Sequence, residues 1–218
     1  MRLHLREALI IFGCLVVAVI LHEISHGIVA LWFGDDTAKR ARRLTLNPIP
    51  HLDPFGSILL PAIAAITGLP VIAWAKPVPV NPARLRHPRR DMLFVSLAGP
   101  FTNFVLMAIA ALVARALLRG GGFLGSSLRD TGSGLVVEIV FYFAFVNLLL
   151  GLFNLLPIPP LDGSAIIERF LPSEWLPGWY RFRPYGILVL FLLVFSGFLP
   201  IATLLAPFYD ALRHFVVT

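Results

Sequence analysis

Residues Ala8–Phe33 read ALIIFGCLVVAVILHEISHGIVALWF, an apolar run broken only towards its end by His22-Glu23-Ile24-Ser25-His26. About 20 helical residues span a bilayer core of roughly 30 Å, so the run is long enough to cross. A helix also satisfies its own backbone N–H and C=O groups, which lipid cannot do. Three more runs have this character: Met92–Leu118, Leu135–Leu156 and Tyr185–Pro207. The last is interrupted at Ser196-Gly-Phe-Leu-Pro200 and reads as one kinked helix or two short ones. A fifth run, Phe55–Ala75, is long enough but carries Pro61, Gly68 and Pro70.

Composition agrees. Of 218 residues 58% are hydrophobic and only 14% charged, against about 25% charged in soluble domains. Mean hydropathy is +0.84. A disordered chain or an ordinary soluble globule is excluded. The single Cys14 rules out an internal disulfide framework. The net charge of +6 comes from basic residues clustered in short loops between apolar runs. That is the pattern of membrane topology, not of a nucleic-acid partner. Arg2 and Arg6 precede the first run as in a signal peptide. No small-residue cleavage site follows, however, and the run continues through the charged motif, so removal is not expected.

Two proline-rich stretches lie between the runs. Arg42-Arg-Leu-Thr-Leu-Asn-Pro-Ile-Pro-His51-Leu-Asp53-Pro-Phe-Gly56 alternates briefly at Leu44, Thr45 and Leu46, which predicts a short extended or hairpin segment. Lys76-Pro-Val-Pro-Val-Asn-Pro82 cannot be helical. The expected fold is an all-α polytopic membrane protein. It has about 4–6 transmembrane helices and a re-entrant or short β-hairpin segment after the first helix. Residues 1–218 are expected to form one membrane-embedded domain.

The chemistry is concentrated in His22–His26. Residues four apart on a helix differ by about 40° around the axis and about 6 Å along it, so both imidazoles can grip one ion. Glu23 lies on the flank of that face, within reach of a water at the metal and of its proton. Three ionisable groups in five residues at membrane depth are costly and mark a functional site. A tetrahedral catalytic zinc needs a third protein ligand. Asp162, in Asn154-Leu-Leu-Pro-Ile-Pro-Pro-Leu-Asp162-Gly163, follows a helix end broken by three prolines. Freed backbone at that depth must line a cavity or be buried in protein, which makes Asp162 a candidate. Its alternative is to cap a helix over Ser164–Leu171. His51 and Asp53 are other candidates, better suited to a turn. Asn154 and Asn103 carry amides able to donate to an oxyanion or to bond between helices. Gly99 and Pro100 suit close packing or a kink.

These segments resemble the site-2 protease family of intramembrane zinc metalloproteases. His22-Glu-Ile-Ser-His26 is similar to its zinc motif and Asn154…Pro-Pro-Leu-Asp162-Gly163 to its second motif. His51-Leu-Asp-Pro-Phe-Gly56 and Ala98-Gly-Pro-Phe-Thr-Asn103 also resemble family patterns, so the likeness runs from about residue 8 to 170. The resemblance implies one zinc ion per chain on His22, His26 and Asp162, with Glu23 as the base and Asn154 as a polar stabiliser of the intermediate. It implies the compact form, without a PDZ or CBS module. The partners it implies are a transmembrane protein substrate and the lipid bilayer. The rival reading is a membrane metal transporter or sensor using the same ligands. Transport calls for a polar path across the membrane, and no further acidic ladder is present.

Topology follows from parity. For His26 and Asp162 to share an ion, the first helix and Leu135–Leu156 should run in the same direction, which needs an odd number of crossings between them. Two runs intervene, so one is not a simple crossing, and Phe55–Ala75 is the better suspect. The flanking loops then share a side. They carry nine basic residues, Lys39, Arg40, Arg42, Arg43, Lys76, Arg84, Arg86, Arg89 and Arg90, against Arg2 and Arg6 at the other end of the first helix. Positive residues prefer the cytoplasm, so the site is expected nearer the cytoplasmic face of a prokaryotic plasma membrane. The alternative is an Asp162 loop that folds back into the membrane from the other side.

Overall fold

The computed structural model describes residues 5–53, 76–119, 133–197 and 200–218. The run Phe55–Ala75 therefore lies outside the described residues. The helices are α1 (Leu5–Trp32), α2 (Thr37–Arg40), α3 (Pro88–Arg119), α4 (Ser133–Asn154), α5 (Ser164–Phe170), α6 (Leu176–Phe182), α7 (Gly186–Phe195) and α8 (Ile201–Val217). Helix accounts for 78% of the described residues, which contain no strand. Among them three helices are long and apolar enough to cross a membrane: α1, α3 and Gly134–Asn154 of α4. Only 22%, 22% and 28% of their apolar windows are buried in protein, so most of those side chains suit lipid rather than a core. The Tyr185–Pro207 run forms two helices, α7 and α8, separated where Gly197 takes φ +74°.

The chain falls into two compact units, one of Met1–Ala18 with Pro100–Thr218 and one of Val19–Gly99. In the first, small side chains let helices approach closely. Ala110, Ala111 and Ala114 of α3 pack with Ala144 and Leu148 of α4 and with Leu212 and Val216 of α8. A Cβ at Gly151 would come within 3.0 Å of the Phe104 ring. Asn103 and Asn147, both fully buried, join α3 to α4 through Asn103 Nδ2 donating to Asn147 Oδ1 at 2.8 Å. That bond satisfies amides that would be costly beside lipid.

The pairing order gives helix direction. Arg6 pairs with Glu138, the Cys14 thiol with the Ile139 carbonyl at 3.6 Å, and Cys14 and Ala18 pack with Val146. Numbers rise together, so the first turns of α1 and α4 run in the same direction. Between α3 and α4 they run oppositely: Phe104 meets Gly151, and Ala110, Ala111 and Ala114 lie with Ala144.

In the second unit, Ala30, Leu85 and Val95 form a small core with Val29, Phe33, Val80 and Met92 around it. The expected extended or hairpin segment at Leu44–Leu46 forms no ladder among the described residues; these residues are bends leading into a 3₁₀ turn at Ile49–His51. Local bonds hold it. Asn47 N donates to Thr45 Oγ1, Ile49 N to Asn47 Oδ1, and His51 Nε2 lies 3.0 Å from the Thr45 carbonyl. Short polar side chains competing for backbone in this way favour turns. Lys76 N donates to the His51 carbonyl at 2.9 Å, which holds residues 51 and 76 side by side.

Candidate metal centre

His22, Glu23 and His26 occupy the second half of α1, inside the second unit. Their i, i+4 spacing sets the two imidazoles edge to face, with ring centroids 4.6 Å apart and Nε2 atoms 3.0 Å apart. Both rings are buried. His26 Nδ1 lies 2.6 Å from the Val95 carbonyl oxygen on α3. A carbonyl only accepts, so that nitrogen carries the proton and His26 Nε2 offers a lone pair. A backbone carbonyl behind an imidazole is the usual device for fixing a ligating tautomer.

One turn further along α3, Gly99 faces the same rings. A Cβ at that position would lie 2.4 Å from His22 Cε1 and 2.5 Å from Nε2 of both histidines. The glycine therefore gives both rings room against α3. Two neighbouring nitrogen donors in a buried setting fit a zinc ion.

Glu23 is half-buried, and its Oε2 accepts a hydrogen bond from the Val78 backbone N–H at 2.7 Å. Ser25 Oγ donates to the His22 carbonyl at 2.6 Å, bonding back to its own helix. His51, a candidate on sequence, turns Nε2 to the Thr45 carbonyl and serves the turn. Asp53, the other such candidate, directly follows the 3₁₀ turn and Leu52.

Asp162 and Asn154 belong to the first unit. At the end of α4 the chain doubles back, with Gly163 N donating to the Asn154 carbonyl at 2.7 Å. Only glycine fits after Asp162, because a Cβ there would stand 2.2 Å from the Leu155 carbonyl oxygen. The N-cap of α5 is Gly163. The first N–H groups of α5 bond to the Leu161 and Asp162 carbonyls. The Asn154 amide donates to the Leu150 carbonyl at 3.0 Å, within α4.

Three groups at the centre escape sequence reading: the Val95 carbonyl, the Val78 N–H and the clearance at Gly99. Two are backbone groups, a carbonyl that every residue type supplies and an N–H that all but proline supply. The one available signal is Val78 itself, a lone N–H between Pro77 and Pro79.

Residues 121–196 match Peptidase family M50. "Putative zinc metalloprotease YwhC" of Bacillus subtilis is 41% identical over 181 residues, covering 83% of this chain and 77% of that protein. "Putative zinc metalloprotease Rip2" of Mycolicibacterium smegmatis is 29% identical over 189 residues, 86% of this chain and 67% of that one. "Zinc metalloprotease MJ0392" of Methanocaldococcus jannaschii is 23% identical over 166 residues, 76% of this chain and 35% of that one. No solved structure matches the chain. The first of these likenesses spans most of both proteins. The chain belongs to Peptidase family M50, the site-2 protease family, and is a zinc metalloprotease of the membrane.

Proposed function

We propose that this protein is an intramembrane endopeptidase that cuts transmembrane segments of other membrane proteins. His22, His26 and Asp162 hold one zinc ion, and Glu23 acts as general base. The observation that carries the reading is the facing Nε2 pair of His22 and His26, set in a helix apolar enough to cross a membrane. A bound zinc ion supplies Lewis acidity, polarising the scissile carbonyl and making water a nucleophile at neutral pH.

The chain's own residues do the rest. Val95 fixes the His26 ring through Nδ1. Glu23, with one oxygen held at Val78, takes a proton on the other and returns it to the leaving amine. Asn154 is assigned to the developing oxyanion, for which its amide must turn away from Leu150. A helical substrate hides its scissile carbonyl in its own hydrogen bonds, so it must unwind locally before attack.

The cleavage site lies nearer the cytoplasmic face. The parallel first turns of α1 and α4 and the antiparallel α3 support a chain joining α1 to α3 that begins and ends on one side of the membrane. Seven basic residues in that connection, with Arg89 and Arg90 in the first turn of α3, favour the cytoplasm. Metal analysis of purified Asp162→Ala tests the ligand set. Zinc is expected to fall well below one ion per chain, whereas undiminished zinc removes Asp162 from the site.

A further inference from the structure

We infer that the backbone N–H of Val78 is a positioning donor that fixes the Glu23 carboxylate, delivered by a proline-clamped strap across α1; this rests on Glu23 being the base. The bond is short, 2.7 Å from Val78 N to Glu23 Oε2. Pro77 and Pro79 have no N–H, so Val78 is the only donor over residues 77–79, with its neighbours' φ angles fixed.

The strap is fastened on both sides of that donor. Lys76 N donates to the His51 carbonyl at 2.9 Å, and Arg43 donates to the Lys76 carbonyl at 2.6 Å. At the far end, Asn81 N donates to Oδ2 of the fully buried Asp35 at 2.6 Å. The strap lies against α1 at Gly27, one turn beyond Glu23. A Cβ at Gly27 would meet Val78 Cγ1 at 3.1 Å and Leu44 Cδ2 at 2.5 Å. Glycine there lets a backbone amide come within reach of a carboxylate on the next turn.

The consequence is directional. With Oε2 engaged by a donor that carries no exchangeable charge, Oε1 is the oxygen left to receive and return the proton. The carboxylate cannot swing along the helix between those two steps. A loose base would lose this advantage, since a displacement of about 1 Å at a reacting group costs on the order of a hundredfold in rate.

The test replaces the Val78 amide by an ester, using 2-hydroxy-3-methylbutanoate in the full-length protein, so that only the N–H is lost. A simple peptide hydroxamate is the probe, because its hydroxyl shares a proton with the general base of a zinc site. Hydroxamate affinity should fall about tenfold to a hundredfold, as for other groups that orient a metal site. Zinc content and Tm should stay at wild-type values. With a single-span membrane protein as substrate, kcat should fall by about as much while KM stays within about twofold. Hydroxamate affinity or kcat within about twofold of wild type overturns the inference. So does a loss of zinc or of Tm in the ester protein, which would make the strap a purely structural element. Glu23→Gln separates the two readings. If that variant still cleaves, the base assignment fails. If it is inactive while the ester protein is unaffected, only the role of Val78 fails.

Discussion

At Gly99 the absence of a side chain gives the His22 and His26 rings their room. A methyl group there would sit 2.4–2.5 Å from ring atoms of His22 and His26. Real contacts of that kind do not occur, so the rings or the helix must shift. Gly99→Ala should therefore lower zinc affinity by about tenfold or more, the scale seen when the surroundings of metal ligands are disturbed. Helix content by circular dichroism should be unchanged. Full zinc occupancy after dialysis against a weak chelator would contradict this. The histidine pair is legible in the sequence because i, i+4 geometry is local. Gly99 is not, because its neighbours are 73 and 77 positions away in the chain. Glycine in Ala98-Gly-Pro-Phe-Thr-Asn103 suggests close packing, but nothing local says against what.

At the scale of elements, the second unit is tied together by polar loops rather than by a large core. Asp35 is fully buried and accepts hydrogen bonds from the Thr37 N–H at 3.0 Å and the Asn81 N–H at 2.6 Å. Burial pushes its carboxyl upward, but the bonds from Thr37 and Asn81 and the charge of Arg84 outweigh this and hold it below the ordinary value. The charged form is thus favoured on folding. Its stabilisation is present above the unfolded pKa of about 3.9 and is lost as pH falls through the lower folded value. Asp35→Asn keeps one acceptor oxygen and sets an NH2 against the other donor, so it should cost about 1–3 kcal/mol at neutral pH, the scale of leaving a buried donor without its acceptor. The difference in Tm from wild type should shrink below about pH 4. A pH-independent difference would contradict the assignment.

Helix direction yields a second test at this scale. Single cysteines at Thr45 and Arg84, in a Cys14→Ser background, should both resist a membrane-impermeant thiol reagent in intact cells, while one at Ser127 should react. Labelling at Arg84 but not Thr45 would make the intervening run a true crossing. The long apolar helices were readable because length and hydropathy suffice for them. The Leu44–Leu46 alternation meets no ladder among the described residues, where Thr45 and Asn47 bond to nearby backbone N–H groups, which a period-2 pattern does not report. The division of the last run into α7 and α8 was left open by Gly197 and Pro200 and follows their backbone preferences.

For the whole molecule, the account joins a membrane setting to hydrolytic chemistry. Helices α1, α3 and α4 are long and apolar enough to cross a membrane, which fits the proposed hydrolysis at membrane depth. The buried histidine pair and the held carboxylate are the groups that the proposed reaction would use. A transporter or sensor would use the same imidazoles but would have no need of Glu23 as a base. The most direct measurement compares wild type with Glu23→Gln, both purified and placed in liposomes with a single-span membrane protein substrate. Zinc is quantified in the same samples. Glutamine keeps the shape of the side chain but cannot take the proton. The account predicts that Glu23→Gln retains about one zinc per chain while cleavage falls at least about a hundredfold, the contribution expected of a general base. Cleavage within a few-fold of wild type, at equal zinc content, would contradict it.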